Sequence, residues 1–107
     1  MPENENQTEE QKLFEVLLVE LVYSLQQNTM AALGKLAHPI TGKVEKNLSQ
    51  AKATIDMLRM LKEKSRNNLS GRETKFLDQV ILNVQLNYAD EVEKENREKS
   101  GKTDKTT

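Results

Sequence analysis

The sequence has no cysteine and no tryptophan, a single histidine, two prolines and four glycines. Without cysteine, neither a disulfide nor a thiolate metal site is present to steady a small chain. The one histidine, His38, stands in no E-x-x-H or H-E-x-x-H arrangement, which argues against a metal centre built in the usual way. The glycines are isolated, and Thr41-Gly42-Lys43 lacks the upstream glycine of a phosphate-binding loop. Serines stand where helix caps need them rather than beside a base and an oxyanion donor. Together these absences point away from an enzyme, with no catalytic residue, no cofactor and no metal expected.

Long hydrophobic runs are equally scarce. Only Leu13–Leu25, LFEVLLVELVYSL, is strongly apolar, and Glu15, Glu20 and Ser24 interrupt it. A membrane-spanning helix needs ~20 apolar residues, whereas a run this short belongs to a packed helix. The first residues are acidic, and no small-residue cleavage site follows the run, so it does not read as a secretory signal. The expectation is a cytoplasmic protein with no membrane span.

What is present is helical periodicity. Residues 1–8 and 94–107 are polar and are expected to be disordered tails, leaving one domain over 9–93. A domain of roughly 85 residues is near the lower limit for a self-sufficient core, and with no disulfide the remaining common support is a second chain. Thr8 and Gln11 form a capping-box pattern that opens a helix over about 9–33, ended by Gly34. The segment 34–46 breaks the helical pattern, and Leu36, Ile40 and Val44 are expected to lay it against the helices. Asn47, with Gln50 three residues on, starts a second helix over about 48–66. Its buried stripe is expected to be Leu48, Ala51, Ile55, Leu58 and Leu61, widened by Met57 and Met60. Ser70 and Glu73 form a further capping box for a third helix over about 71–94, with Phe76, Leu77, Val80, Ile81, Val84, Tyr88 and Val92 on one face. No strand-like alternation bounded by hairpin turns occurs. The fold class is therefore all-α, a three-helix antiparallel bundle or a helical hairpin plus a long apolar first helix, and the expected state is dimeric.

The first helix carries two apolar stripes. Leu13, Phe14, Leu17, Leu18, Leu21, Leu25 and Ala32 form the wider one, expected to pack on the other two helices. Val16, Val19, Tyr23 and Met30, with Gln26 at matching spacing, form a second on nearly the opposite side. One stripe suffices to face a small domain, so the second needs another surface. Burying its four apolar side chains contributes roughly 6–12 kcal/mol per chain, set against an association cost of ~4–15 kcal/mol. Val16, Val19, Tyr23, Gln26 and Met30 are thus the expected homodimer contact. An alternative is a regulatory or adaptor subunit docking this helix on another protein.

Charge is divided along the chain. Residues 1–20 hold six Glu and one Lys, a balance of −5, while residues 34–75 hold ten Lys/Arg and four Asp/Glu, a balance of +6. The basic middle raises weak nucleic-acid binding as a further alternative. Interleaved Glu45, Asp56, Glu63 and Glu73, and the lack of exposed aromatics for base stacking, argue against it.

A resemblance adds to this reading. Ala51-Lys52, Thr54-Ile55-Asp56-Met57-Leu58, Leu61 through Lys64, Asn68-Leu69-Ser70 and Glu73 resemble the domain-of-unknown-function family numbered eighteen forty-four. Its pattern is A-K-x-T-I-D-x-L-x-x-L-x-x-K-T-x-G-N-L-T-x-x-E, followed by a helix ending near a tyrosine, matched by Tyr88. Ser65, Asn67 and Ser70 replace the pattern's Thr, Gly and Thr, and Pro39-Ile40-Thr41-Gly42 is one residue short of its P-x-x-T-G turn. The resemblance covers residues 13 to about 92. It implies a small, soluble, helical bacterial protein with no assigned activity, and it transfers no catalytic or binding residue.

Overall fold

The computed structural model describes residues 7–106, with side chains placed over 7–99. Residues 1–6 and Thr107, which fall in the expected tails, lie outside the described residues. Among the described residues the chain is three helices and no strands: α1 (Glu9–Ala32), α2 (Leu48–Lys64) and α3 (Gly71–Thr106).

Each start follows from local chemistry. The Thr8 hydroxyl accepts the Gln11 amide while the Gln11 side chain accepts the Thr8 amide, closing the first box. Asn47 Oδ1 accepts the Gln50 amide and the Ser49 hydroxyl. The Ser70 hydroxyl accepts the Glu73 amide at 3.1 Å, and Glu73 returns the bond to the Ser70 amide at 2.8 Å. Ser70→Ala should therefore cost about 1 kcal/mol, seen as a lower urea midpoint with an unchanged slope.

The helix ends are as local as the starts. Gly34 sits at φ +77°, its amide bonded to the Ala31 carbonyl and the Lys35 amide to that of Met30, the paired pattern of a left-handed C-cap. α2 stops at Lys64, two residues before the expected 66, with Ser65 as its cap. Asn67 then adopts φ +68°. That is the position where the resembling pattern has Gly, and Asn is among the few other residues that enter this region readily.

α1 and α3 run parallel, with Glu15 near Arg72 at one end and Lys35 near Asp90 and Glu91 at the other. α2 runs antiparallel between them, with Thr29 Oγ1 meeting Thr54 Oγ1 at 2.7 Å across the α1–α2 crossing. Val22, Ile55, Leu58, Leu77, Val80, Ile81 and Val84 form the main core, supported by Leu18, Leu25, Leu61, Leu69, Phe76 and Tyr88. A smaller cluster of Ala32, Leu33 and Ala51, flanked by Met30, Leu48 and Tyr88, closes the loop end.

Several expectations need correction. α3 does not end near 94 but continues to Thr106, so the backbone of 94–106 is helical where a tail was expected. The reason is local: no proline interrupts the segment, and Lys94 pairs with Asp90 and Glu91 while Lys99 pairs with Glu95 on the helix surface. Lack of apolar residues excludes packing, not helix. Met57 and Met60 do not widen the core stripe of α2; both are about half exposed. The connection between α1 and α2 is not laid down by its apolar residues either, since Ile40 is 89% exposed and Leu36 and Val44 also face out. Ionic contacts at its two ends hold it instead.

Candidate functional site

The rotation of α1 decides which of its stripes remains open. Leu18, Val22, Leu25, Thr29 and Ala32 recur at alternating three- and four-residue spacing and face α2 and α3. Val22, which belongs to neither expected stripe, is fully buried at the centre of that line. The expectation that the wider stripe packs on α2 and α3 is therefore corrected. Leu18, Leu25 and Ala32 turn inward, but Leu13, Phe14, Leu17 and Leu21 remain 53%, 57%, 47% and 49% exposed. α1 carries apolar residues on more than one side, and two neighbours cover only the arc between them.

The expected contact residues are divided by the same rotation. Val16, Val19 and Tyr23 are exposed, whereas Gln26 and Met30 are half-buried, and Met30 packs against the Ala32–Leu33–Ala51 cluster. α1 thus presents two open apolar flanks, and Met30 belongs to neither. The Val16 flank borders a shallow groove lined by Gln7, Lys12, Glu15, Val19, Glu20 and Arg72. There Glu15 accepts from Gln7 at 2.9 Å and pairs with Arg72 at 2.9 Å. The strip that runs from Glu10 through Leu17 to Asn28 carries no charge between its ends, with Glu20 at its edge beside Leu13. It went unrecognised in the sequence because a leucine row is the usual mark of a core face.

The residues of the family-like stretch are engaged in the fold. Ala51 is fully buried, Thr54 makes the hydroxyl pair with Thr29, Ile55 and Leu58 fill the core, and Ser70–Glu73 caps α3. Asp56 accepts from Lys52 at 2.9 Å and Arg59 at 3.2 Å, and these cations hold its carboxyl below the usual range. The basic middle is largely paired in the same way. Lys62 pairs with Asp78, Arg66 with Glu63 and Arg72 with Glu15. Its cations are thus interleaved with carboxylates along the helix surfaces. His38 closes its own turn, with Nδ1 accepting the amides of Ile40 and Thr41 at 3.1 and 3.4 Å.

Sequence reasoning missed one buried charge. Glu91 on α3 is only 7% exposed and receives Lys46 at 2.8 Å, Lys35 at 3.0 Å and Lys94 at 3.1 Å. Lys46, then Lys35, lower its pKa to about 2 despite its burial. The same contacts raise the Lys46 and Lys94 ammonium groups above their ordinary value. Lys35 and Lys46 stand at the two ends of the α1–α2 connection, so one carboxylate fastens both ends to α3. Among the described residues no cluster of His, Cys, Asp and Glu is arranged to hold a metal ion. No described helix is long and apolar enough to cross a membrane.

Comparison with known proteins agrees with the resemblance read from α2 and the start of α3. The family described as Domain of unknown function (DUF1844) matches over residues 7–90, which takes in all of α1 and α2 and most of α3. Neither a curated protein nor a solved structure matches the chain.

Proposed function

The chain belongs to the DUF1844 family, a domain of unknown function, and from that premise we propose a non-enzymatic cytoplasmic protein that self-associates through α1. The observation that carries this reading is the open apolar surface on one helix: Leu13, Phe14, Leu17 and Leu21 on one flank, Val16, Val19 and Tyr23 on the other. Scattered single hydrophobics are ordinary on a protein surface, but a concentration on one helix marks an interaction face. Side chains of this size, left about half exposed, amount to roughly 75–125 Å² each by comparison with a fully buried aromatic. The seven together leave roughly 500–900 Å² open, against about 800 Å² per partner in a standard interface. Two-fold pairing is the commonest way for identical chains to cover such a face.

Light scattering after size exclusion tests the reading. A dimer mass at micromolar concentration is expected. Leu17→Lys or Val19→Lys, on the flank that makes the contact, should weaken association about tenfold or more, since 1.4 kcal/mol corresponds to a factor of ten. Both side chains are exposed in the single chain, so helix content by circular dichroism should stay constant. A monomer mass at that concentration rejects self-association and leaves α1 for docking on a different protein.

A further inference from the structure

If α1 is the self-association helix, its two flanks are not equivalent, and the difference specifies how a second copy sits. Leu13, Leu17 and Leu21 form one open row at four-residue spacing with Phe14 beside it, closed by Leu25, which is half-buried against the core. Helices packed face to face along such an apolar strip approach to an interaxial separation of about 8–10 Å. The row is also symmetric end to end. Reversing it about its midpoint, at the level of residue 19, brings Leu13 level with Leu25 and Leu17 level with Leu21 along the axis.

The polar residues that bound the row obey the same relation. About 100° of turn per residue brings Glu10 and Asn28 onto the strip that holds Leu17. Each is exposed, and neither side chain makes a hydrogen bond or ion pair among the described residues. The reversal that exchanges Leu13 with Leu25 exchanges Glu10 with Asn28. In a parallel pairing, Glu10 would stand against its own copy, two carboxylates at the edge of an apolar seam. In an antiparallel pairing, each Glu10 carboxylate meets an amide donor at both ends of the seam. The opposite flank offers no comparable symmetry, because Glu15, Glu20, Lys12 and Arg72 interleave with Val16 and Val19.

We propose that two copies pair antiparallel, α1 against α1, along the Leu13–Leu17–Leu21–Leu25 row, with each Glu10 hydrogen-bonded to Asn28 of the partner subunit. The exposed Met57 of α2 extends this surface. The Thr29–Thr54 contact sets the register of antiparallel α1 and α2, which places Met57 level with Gln26, one residue from Leu25, and so near Phe14 of the partner subunit. Leu13, Phe14, Leu17, Leu21 and Met57 leave roughly 400–600 Å² open at about half of a large side chain each. The apolar share of an ~800 Å² half-interface is ~450 Å². The row with its methionine thus provides the apolar part of one standard interface, without the second flank.

The proposal rests on self-association through α1, and the absence of native cysteine allows the two to be tested separately. Glu10→Cys and Asn28→Cys change exposed residues at the ends of the row and leave the leucines in place. Light scattering first establishes the mass of each variant. Under mild oxidation, a mixture of the two variants should cross-link roughly tenfold more than either alone, because only the mixture brings thiols together at high effective concentration. Each variant alone separates its two thiols by ~27 Å along the helix, at 1.5 Å per residue. A dimer mass with self-cross-linking of Glu10→Cys would overturn the antiparallel seam. A dimer mass with no cross-link in the mixture would also overturn it, leaving self-association through the Val16 flank. A monomer mass would overturn both.

Discussion

Replacing Glu91 by glutamine should destabilise the fold by about 3 kcal/mol at neutral pH and by almost nothing near pH 2. The charge on Glu91 is worth most where three ammonium groups surround a carboxylate that is 7% exposed. In the folded chain its pKa lies at about 2, against 4.5 for the free side chain. At 1.36 kcal/mol per unit, that difference corresponds to about 3 kcal/mol of stability carried by the ionised form. The folded value is the lower one, so the contribution is complete above pH 4.5. It declines as pH falls from there and is lost as pH passes through about 2, where the folded side chain is half protonated and the unfolded one fully so. Asp90 is also held below its ordinary range, by Lys94 and then Lys35, so the Glu91→Gln chain keeps a residual acid sensitivity of its own. Urea denaturation of both proteins at pH 7 and pH 2.5 is the measurement. An undiminished difference at pH 2.5 would show that shape rather than charge accounts for the loss. Lys35 and Lys46 would lose their common anchor in the variant, so faster amide exchange over 34–46 should accompany the lower stability.

This buried carboxylate also marks the limit of what the sequence makes legible. The helices and their caps are readable because each depends on residues within one turn: Thr8 with Gln11, Ser70 with Glu73, Gly34 at its positive φ. The class and the order of elements follow from such signals. Glu91 gathers Lys35 and Lys46 from far upstream, and an acidic residue in a charged helix offers no local hint that it is buried. The rotation of α1 is hidden for a different reason. Two apolar stripes can be read from periodicity, but periodicity alone does not say where the neighbours stand. The discriminating signal is the line of Leu18, Val22, Leu25, Thr29 and Ala32, in which one threonine and one alanine interrupt the aliphatic residues. Those smaller side chains permit the close crossing with Ala51 and Thr54, and that crossing turns the leucine row outward. The exposed Met57 follows from the same geometry, lying on the α1 side of α2 but beyond the crossing.

The core itself provides the other large effect. Leu58→Ala should lower stability by ~2–5 kcal/mol, the range for deleting a buried leucine where neighbours collapse only partly. Leu58 is completely buried among Val22, Ile55, Leu77, Val80, Ile81 and Val84, so all three helices contribute to the wall of the cavity it would leave. Whole domains are stable by only about 5–15 kcal/mol, so the loss is a large fraction of the total for a chain of this size. Leu86→Ala is the matched control, removing the same atoms from α3 at a position 61% exposed. It should change stability by no more than about 0.5 kcal/mol, the usual range for a surface site away from caps and ion pairs. Urea midpoints for both variants should be taken at two protein concentrations a hundredfold apart. In a self-associating chain the midpoints rise with concentration, because the folded dimer is favoured by mass action. Leu58→Ala should shift the whole pair of curves downward while keeping their separation, since it weakens each subunit without touching α1's open flanks. Equal losses from Leu58→Ala and Leu86→Ala would contradict the placement of Leu58 at the centre of the bundle.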